Sequence, residues 1–220
     1  MNRLVFIVEG ETEEEFVNTI LRQHFIDCGL YNNVQCFKTK HTHGGMHKYS
    51  YVRNDVLNTI YEQDVIVTTM FDLYGLPHSF PGFEEAQNIE NHLERVMFLE
   101  AKMKEDIESG QKRLFKNYIP YIQLHEFEAL IFSSTTGFEL LFEKNEMNYK
   151  GIREVVEQFP NPEDINDSPE TAPSKRMKKL IVGYEKVAYG ISLVECTGIE
   201  TILYKCPHFK NWIEKLKAAL

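Results

Sequence analysis

Three times in this chain a carboxylate stands just past an apolar run: Glu9 after Leu4 to Val8, Asp72 after Val65 to Phe71, and Glu126 and Glu128 after Tyr118 to Leu124. Oxygen donors of this kind suit a hard divalent cation, Mg²⁺ or Mn²⁺. Two such ions about 4 Å apart can stabilise both the attacking and the leaving oxygen of a displacement at phosphorus. Glu13, about one helical turn beyond Glu9, adds a further acid at the same place. A carboxylate ending an apolar strand costs desolvation unless something compensates it. That separates Glu9 from Glu14 and Glu15, which read as a solvated first turn favoured by the helix dipole. Asp72 also fits a turn-initiating aspartate, but the same arrangement at two strand ends points to a shared role. Between Glu126 and Glu128 spacing does not choose, and His125 reads equally as a hydrogen-bonding strut, a ligand or a base. Lys175 and Arg176 lie at a helix start, where cations are disfavoured unless an anion is present, so they point to a phosphate. Lys178 and Lys179 read as an exposed cationic face.

The elements that must position these residues follow from periodicity. Leu4 to Val8 is short and rich in branched residues, which predicts a strand buried on both faces. Gly10 permits a sharp turn, and Thr12 is the expected cap of a helix that stops at Gly29. A second strand is expected at Val34 to Thr39. His41, His43 and His47 invite zinc, but Gly44-Gly45 breaks the register that His43 and His47 would need, and the pair could instead bring backbone amides to a phosphate. Tyr49 to Gln63 predicts a helix, Val65 to Phe71 a buried strand, and Gly75 with Pro77 a turn. Glu84 to Ser109 predicts one long polar helix, and Tyr118 to Leu124 a fourth strand, with Pro120 at an edge or early position. Pro160 to Pro173 reads as a linker or lid. His208 and Trp212, in the amphipathic closing helix, read as packing. The expected fold is α/β: a mostly parallel four-stranded sheet flanked by helices over residues 1–135, with a helical C-terminal extension over 136–220 packed on it.

Composition narrows the function classes. The 220 residues, 43% hydrophobic, suffice for one generous domain or a domain with an appendage. A net charge of -9 argues against a surface coated for nucleic-acid binding. From Ser168 onward nine Lys/Arg face five Asp/Glu, a net +4, so the preceding residues carry -13. Cys28, Cys36, Cys196 and Cys206 form no CxxC pair, which gives neither a disulfide framework nor a zinc knuckle. No apolar run approaches the ~20 residues of a membrane span, and the N-terminus lacks a signal-peptide pattern, so a reducing cytoplasm is expected. Walker A, GxGxxG and GxSxG sequences are missing, which weakens NTPase, dinucleotide and α/β-hydrolase readings.

The run Glu9-Gly-Glu-Thr-Glu13 after one strand, with Asp72 ending a later one, resembles the Toprim domain of topoisomerases, primases and overcoming-lysogenization-defect nucleases. That family places a glutamate after its first strand and an Asp-x-Asp pair after a later one. On this resemblance Glu9 matches the signature glutamate, Glu13 falls where the nuclease branch has a second acid, and Asp72 matches the first aspartate of the pair. Tyr74 stands at the second aspartate, which either moves a ligand elsewhere, to Glu126 or Glu128, or weakens the site. More closely, the chain resembles an uncharacterised bacterial family of Toprim-like domains (domain of unknown function DUF4276). That likeness runs through FIVEGETEEEF, TTMFDLYGLP, QLHEFEALIF, SPETAPSKRMKKLI and CPHF. It implies a Toprim-like sheet and, in context, an ATPase partner in phage defence. The leading expectation is a Mg²⁺- or Mn²⁺-dependent phosphodiesterase, a DNA or RNA nuclease. Glu9, Glu13 and Asp72, with Glu126 or Glu128, would hold metal, and Lys175 or Arg176 would neutralise phosphate charge; Glu9 serves alternatively as general base or acid. Two other readings stand beside it: a non-catalytic partner subunit of an ATPase, and phosphoryl or nucleotidyl transfer on a small nucleotide.

Overall fold

The structure is a computed structural model describing residues 3–30, 33–39, 46–165 and 169–220. Its first strand, β1 (Arg3–Val8), has Leu4 to Val8 all buried, as a double-faced apolar run requires. The chain then turns into α1 (Glu11–Phe16), passes through a π-helical turn at Val17–Leu21 and continues as α2 (Arg22–Asp27). Gly10, not Thr12, is the N-cap; Thr12 is buried inside the helix, two residues past the cap position. Gly29 ends the segment with a φ of 78°, and the amide of Leu30 donates back to the carbonyl of Phe25, a left-handed C-terminal stop.

Next come β2 (Val34–Lys38), α3 (Tyr49–Ile60) and β3 (Val65–Asp72). The expected long helix over 84–109 is divided into α4 (Phe83–Ala86) and α5 (His92–Gln111). Asn91 makes the break: its side-chain oxygen accepts from the amide of Glu94 at 3.0 Å and starts a new helix. The expected fourth strand is likewise two pieces, β4 (Tyr118–Ile119) and β5 (Ile122–Gln123), both pairing with β3. Pro120 has no amide to offer the ladder. Thr69 of β3 spans the gap instead, its hydroxyl accepting from the amide of Tyr121 at 2.9 Å and donating to that residue's carbonyl at 3.0 Å.

The result is an α/β arrangement with a parallel sheet in the order β2-β1-β3-β4, β5 also on β3, flanked by helices. The chain forms two compact units, Met1–Gln123 with Trp212–Leu220, and Leu124–Asn211. This differs from the division expected at residue 135. The segment after Gln123 belongs to the second unit, while the chain end returns to the first. The return is anchored by Trp212, which stacks on Tyr121 at 4.0 Å, meets Phe6 edge-on at 5.8 Å and donates its indole N–H to Thr68 at 2.8 Å.

The second unit is helical: α6 (Glu128–Ile131), α7 (Thr136–Leu141), α8 (Tyr149–Gln158), α9 (Pro173–Leu180), α10 (Lys186–Thr197), α11 (Ile199–Lys205) and the start of α12 (Pro207–Ala219). Its core includes Phe132, Phe138, Leu193 and Ile202, all fully buried. The proline-rich segment is not an exposed linker over its described residues: Pro162, Glu163, Ile165, Ala172 and Pro173 are buried. Among the described residues no helix is long and apolar enough to cross a membrane.

Candidate functional site

The first unit carries the site. β1 and β3 are neighbours in parallel register, with Val8 opposite Met70. Glu9 and Asp72 therefore leave the same, carboxyl-terminal edge of the sheet on adjacent strands. The strand order turns here: from β1 the chain goes to β2 on one side, then crosses to β3 on the other. Crossovers that leave in opposite directions open a crevice at the carboxyl ends of the strands, where open parallel sheets bind ligands.

Glu9 is half-buried. Its carboxylate lies against Gly75, where a Cβ would come within 2.6 and 2.7 Å of the two oxygens. No side chain fits there without displacing Glu9. Gly10 has the same relation to Glu13, whose Oε2 would lie 2.8 Å from a Cβ. The acidic run is thereby sorted. Glu11 and Glu14 face Lys38 at 3.4 and 3.5 Å, Glu15 is exposed, and Glu13 alone of the run is buried, at 4% exposure. Asp72 is half-buried at the start of a one-turn 3-10 helix, Leu73–Gly75, and its side chain makes no capping bond to that turn. Tyr74, at the position of the expected second aspartate, is 44% exposed.

The remaining predicted residues lie in the second unit. Glu126 accepts from the amide and the hydroxyl of Ser174, at 2.8 and 3.0 Å, and so supplies the anion at the start of α9. Lys175 and Arg176 therefore stand at a helix start that already has a carboxylate from its own unit. Lys175 is exposed. Arg176 donates to the carbonyl of Thr171 at 2.8 Å and lies over the ring of Phe159. Glu128 is buried and faces Lys186 at 3.5 Å, whose ammonium also lies over Phe127. His125 is fully buried with a φ of 63°, a left-handed conformation that non-glycine residues seldom adopt. His41 and His43, the zinc candidates with His47, lie outside the described residues.

The donor chemistry at the sheet edge fits a hard divalent cation, since it consists of carboxylate oxygens and the two glycines leave room for them. Among the described residues no group of three or more His, Cys, Asp or Glu is gathered to hold an ion. A complete protein cage is therefore not formed by these residues. Mg²⁺ does not require one, because it keeps several waters and is held by one or two carboxylates together with substrate phosphates.

The family model described as Domain of unknown function (DUF4276) matches residues 8–217. The chain belongs to that family. The match takes in both units, the sheet edge with Glu9 and Asp72 as well as the segment that carries Glu126 and Glu128. No curated protein and no solved structure matches the chain.

Three features of the structure have little signal in the sequence. Gly75 was expected only as a turn residue; its clearance for Glu9 belongs to tertiary structure. Lys38 ends a strand next to the acidic run, and its register opposite Val8 makes it a partner of Glu11 and Glu14. Glu163, inside the supposed linker, is 1% exposed and accepts from the amides of His208 and Phe209, each at 2.9 Å. Its apolar neighbours Pro162 and Ile165 were the available signal.

Proposed function

We propose that this protein is a divalent-metal-dependent phosphodiesterase of Toprim-like type, acting on DNA or RNA. One observation carries the reading: Glu9 and Asp72 end adjacent parallel strands at the crevice where the strand order turns, with Gly75 leaving space for the Glu9 carboxylate. Glu9 and Asp72 would hold Mg²⁺ or Mn²⁺ together with water and substrate phosphates. Such an ion supplies Lewis-acid stabilisation of charge on the phosphate and lowers the pKa of bound water. The chain's own part is to fix the carboxylates in place. Glu13 is held by burial against Gly10, and Glu9 by the strand end and Gly75, so neither must reorganise as charge develops. Alternatively, Glu9 would take or return a proton.

The test is incubation of purified protein with plasmid, linear DNA and RNA in Mg²⁺ or Mn²⁺, beside Glu9→Gln and Asp72→Asn. Loss of cleavage by at least about 10²-fold in both variants is expected, the scale of removing a transition-state electrostatic contact. Equal cutting by all three proteins would sink the proposal. One observation favours a second reading: Tyr74 replaces an acid at the rim, as suits a non-catalytic partner of an ATPase. That reading predicts no cleavage, and no heat of Mn²⁺ binding that is lost in Glu9→Gln.

A further inference from the structure

A cavity of about 610 Å³ opens in the first unit between the start of α3 and the segment that follows the Glu9-clearing turn; its lining includes His47, Lys48, Tyr49, Arg53, His78 and Asp106. The chemistry of this lining is uneven. Asp106 accepts from Arg53 Nε at 2.8 Å and from the Tyr49 hydroxyl at 3.0 Å, which balances the guanidinium. Burial together with Asp106 pushes the Tyr49 hydroxyl up, so it stays protonated as a donor. His78 faces Glu84 at 3.5 Å. Lys48 is exposed and, among the described residues, forms no ion pair. Lys48 is therefore the uncompensated cation of a lining that also includes His47, His78, Tyr49 and Pro77.

The cavity also lies close along the chain to the acidic rim. His78 is three residues past Gly75, which touches the Glu9 carboxylate. Three residues span at most about 11 Å. Charges along one nucleic-acid strand recur about every 3.4 Å of helix axis. A strand with one phosphate at Glu9 and Asp72 has further phosphates within that reach. We infer that the cavity at Lys48 and His78 is a binding site for a backbone phosphate of a nucleic-acid strand, flanking the phosphate at the acidic rim. The assignment deepens the reading of the site as a phosphodiesterase and rests on it.

The two ideas fail separately. Binding is read by fluorescence anisotropy with labelled single-stranded DNA and RNA 12-mers in EDTA, across a salt series, and cleavage is read independently in Mn²⁺. The proteins are wild type, Lys48→Ala, Lys48→Arg, His78→Ala, the double variant Lys48→Ala/His78→Ala, and Lys116→Ala as an exposed lysine outside the cavity. Lys48→Ala is expected to weaken binding roughly fivefold to tenfold and to reduce the salt slope by about one, the loss of one phosphate contact. Lys48→Arg should restore binding, and Lys116→Ala should change little. Unchanged affinity and slope in the double variant, an equal loss in Lys116→Ala, or no binding of either strand by wild type overturns the site. Binding that depends on Lys48 without any cleavage sinks the enzyme reading and leaves the phosphate site standing.

Discussion

At the scale of single residues, the proposed function turns on which carboxylates have been given room. Glu11, Glu13, Glu14 and Glu15 are chemically alike, yet Lys38 takes two of them, solvent takes a third, and only Glu13 is buried against a glycine. Gly75 allows the sharpest test of this. Its φ does not lie in the left-handed region, so alanine is conformationally tolerable there; its methyl would instead displace the Glu9 carboxylate. Gly75→Ala is expected to weaken Mn²⁺ binding by about 10–100-fold, as loss of a supporting contact around a metal does. Titration calorimetry would measure it, with a far-UV circular dichroism spectrum close to wild type. Unaltered Mn²⁺ affinity would mean that the clearance has no bearing on a metal.

At the scale of elements, two helix starts of the second unit are completed by distant carboxylates. Glu126 serves α9 and Glu163 serves α12. Acids near a helix start are favoured by the dipole, and these also satisfy amides that lack an intrahelical partner. For Glu163 burial outweighs this help: desolvation raises its pKa above the ordinary 4.5, against the lowering effect of the two amides and of His208. The sign follows from linkage. A carboxyl whose folded pKa is raised gives stability that is fully present below about pH 4.5 and is lost as pH rises through the folded pKa. Glu163→Gln removes that titration. The difference in melting temperature between variant and wild type should therefore shift in favour of the variant from pH 4.5 to pH 7. Parallel pH curves for the two proteins would show that Glu163 titrates normally.

At the scale of the whole chain, the first unit is not contiguous in sequence. Its last segment begins at Trp212, whose ring packs on Tyr121 and Phe6 and whose N–H reaches Thr68. Removing a buried tryptophan side chain typically costs about 3–5 kcal/mol. Trp212→Ala should lower stability in urea by about that amount, and a fragment of residues 1–135, the domain expected from sequence, should fail to fold. A cooperative unfolding transition for that fragment would contradict the role given to Trp212.

The strands, their parallel sense and the acids at their ends were legible in the sequence because they follow from local rules. Buried strands are short apolar runs, glycine marks turns, and a carboxylate at the end of such a run stands out by its desolvation cost. The same local reading misplaced the helix cap at Thr12, joined two helices across Asn91, and took a buried segment at Pro162 to Ile165 for a linker. Each depended on partners far along the chain or on hydrogen bonds that composition does not reveal. Only tertiary structure could decide that β1 and β3 are neighbours, that Gly75 rather than a side chain faces Glu9, and that Glu126 supplies the anion beside Lys175 and Arg176. These are questions of which groups meet in space, and the energy of meeting is set by register, packing and burial across distant parts of the chain, not by any one stretch of it.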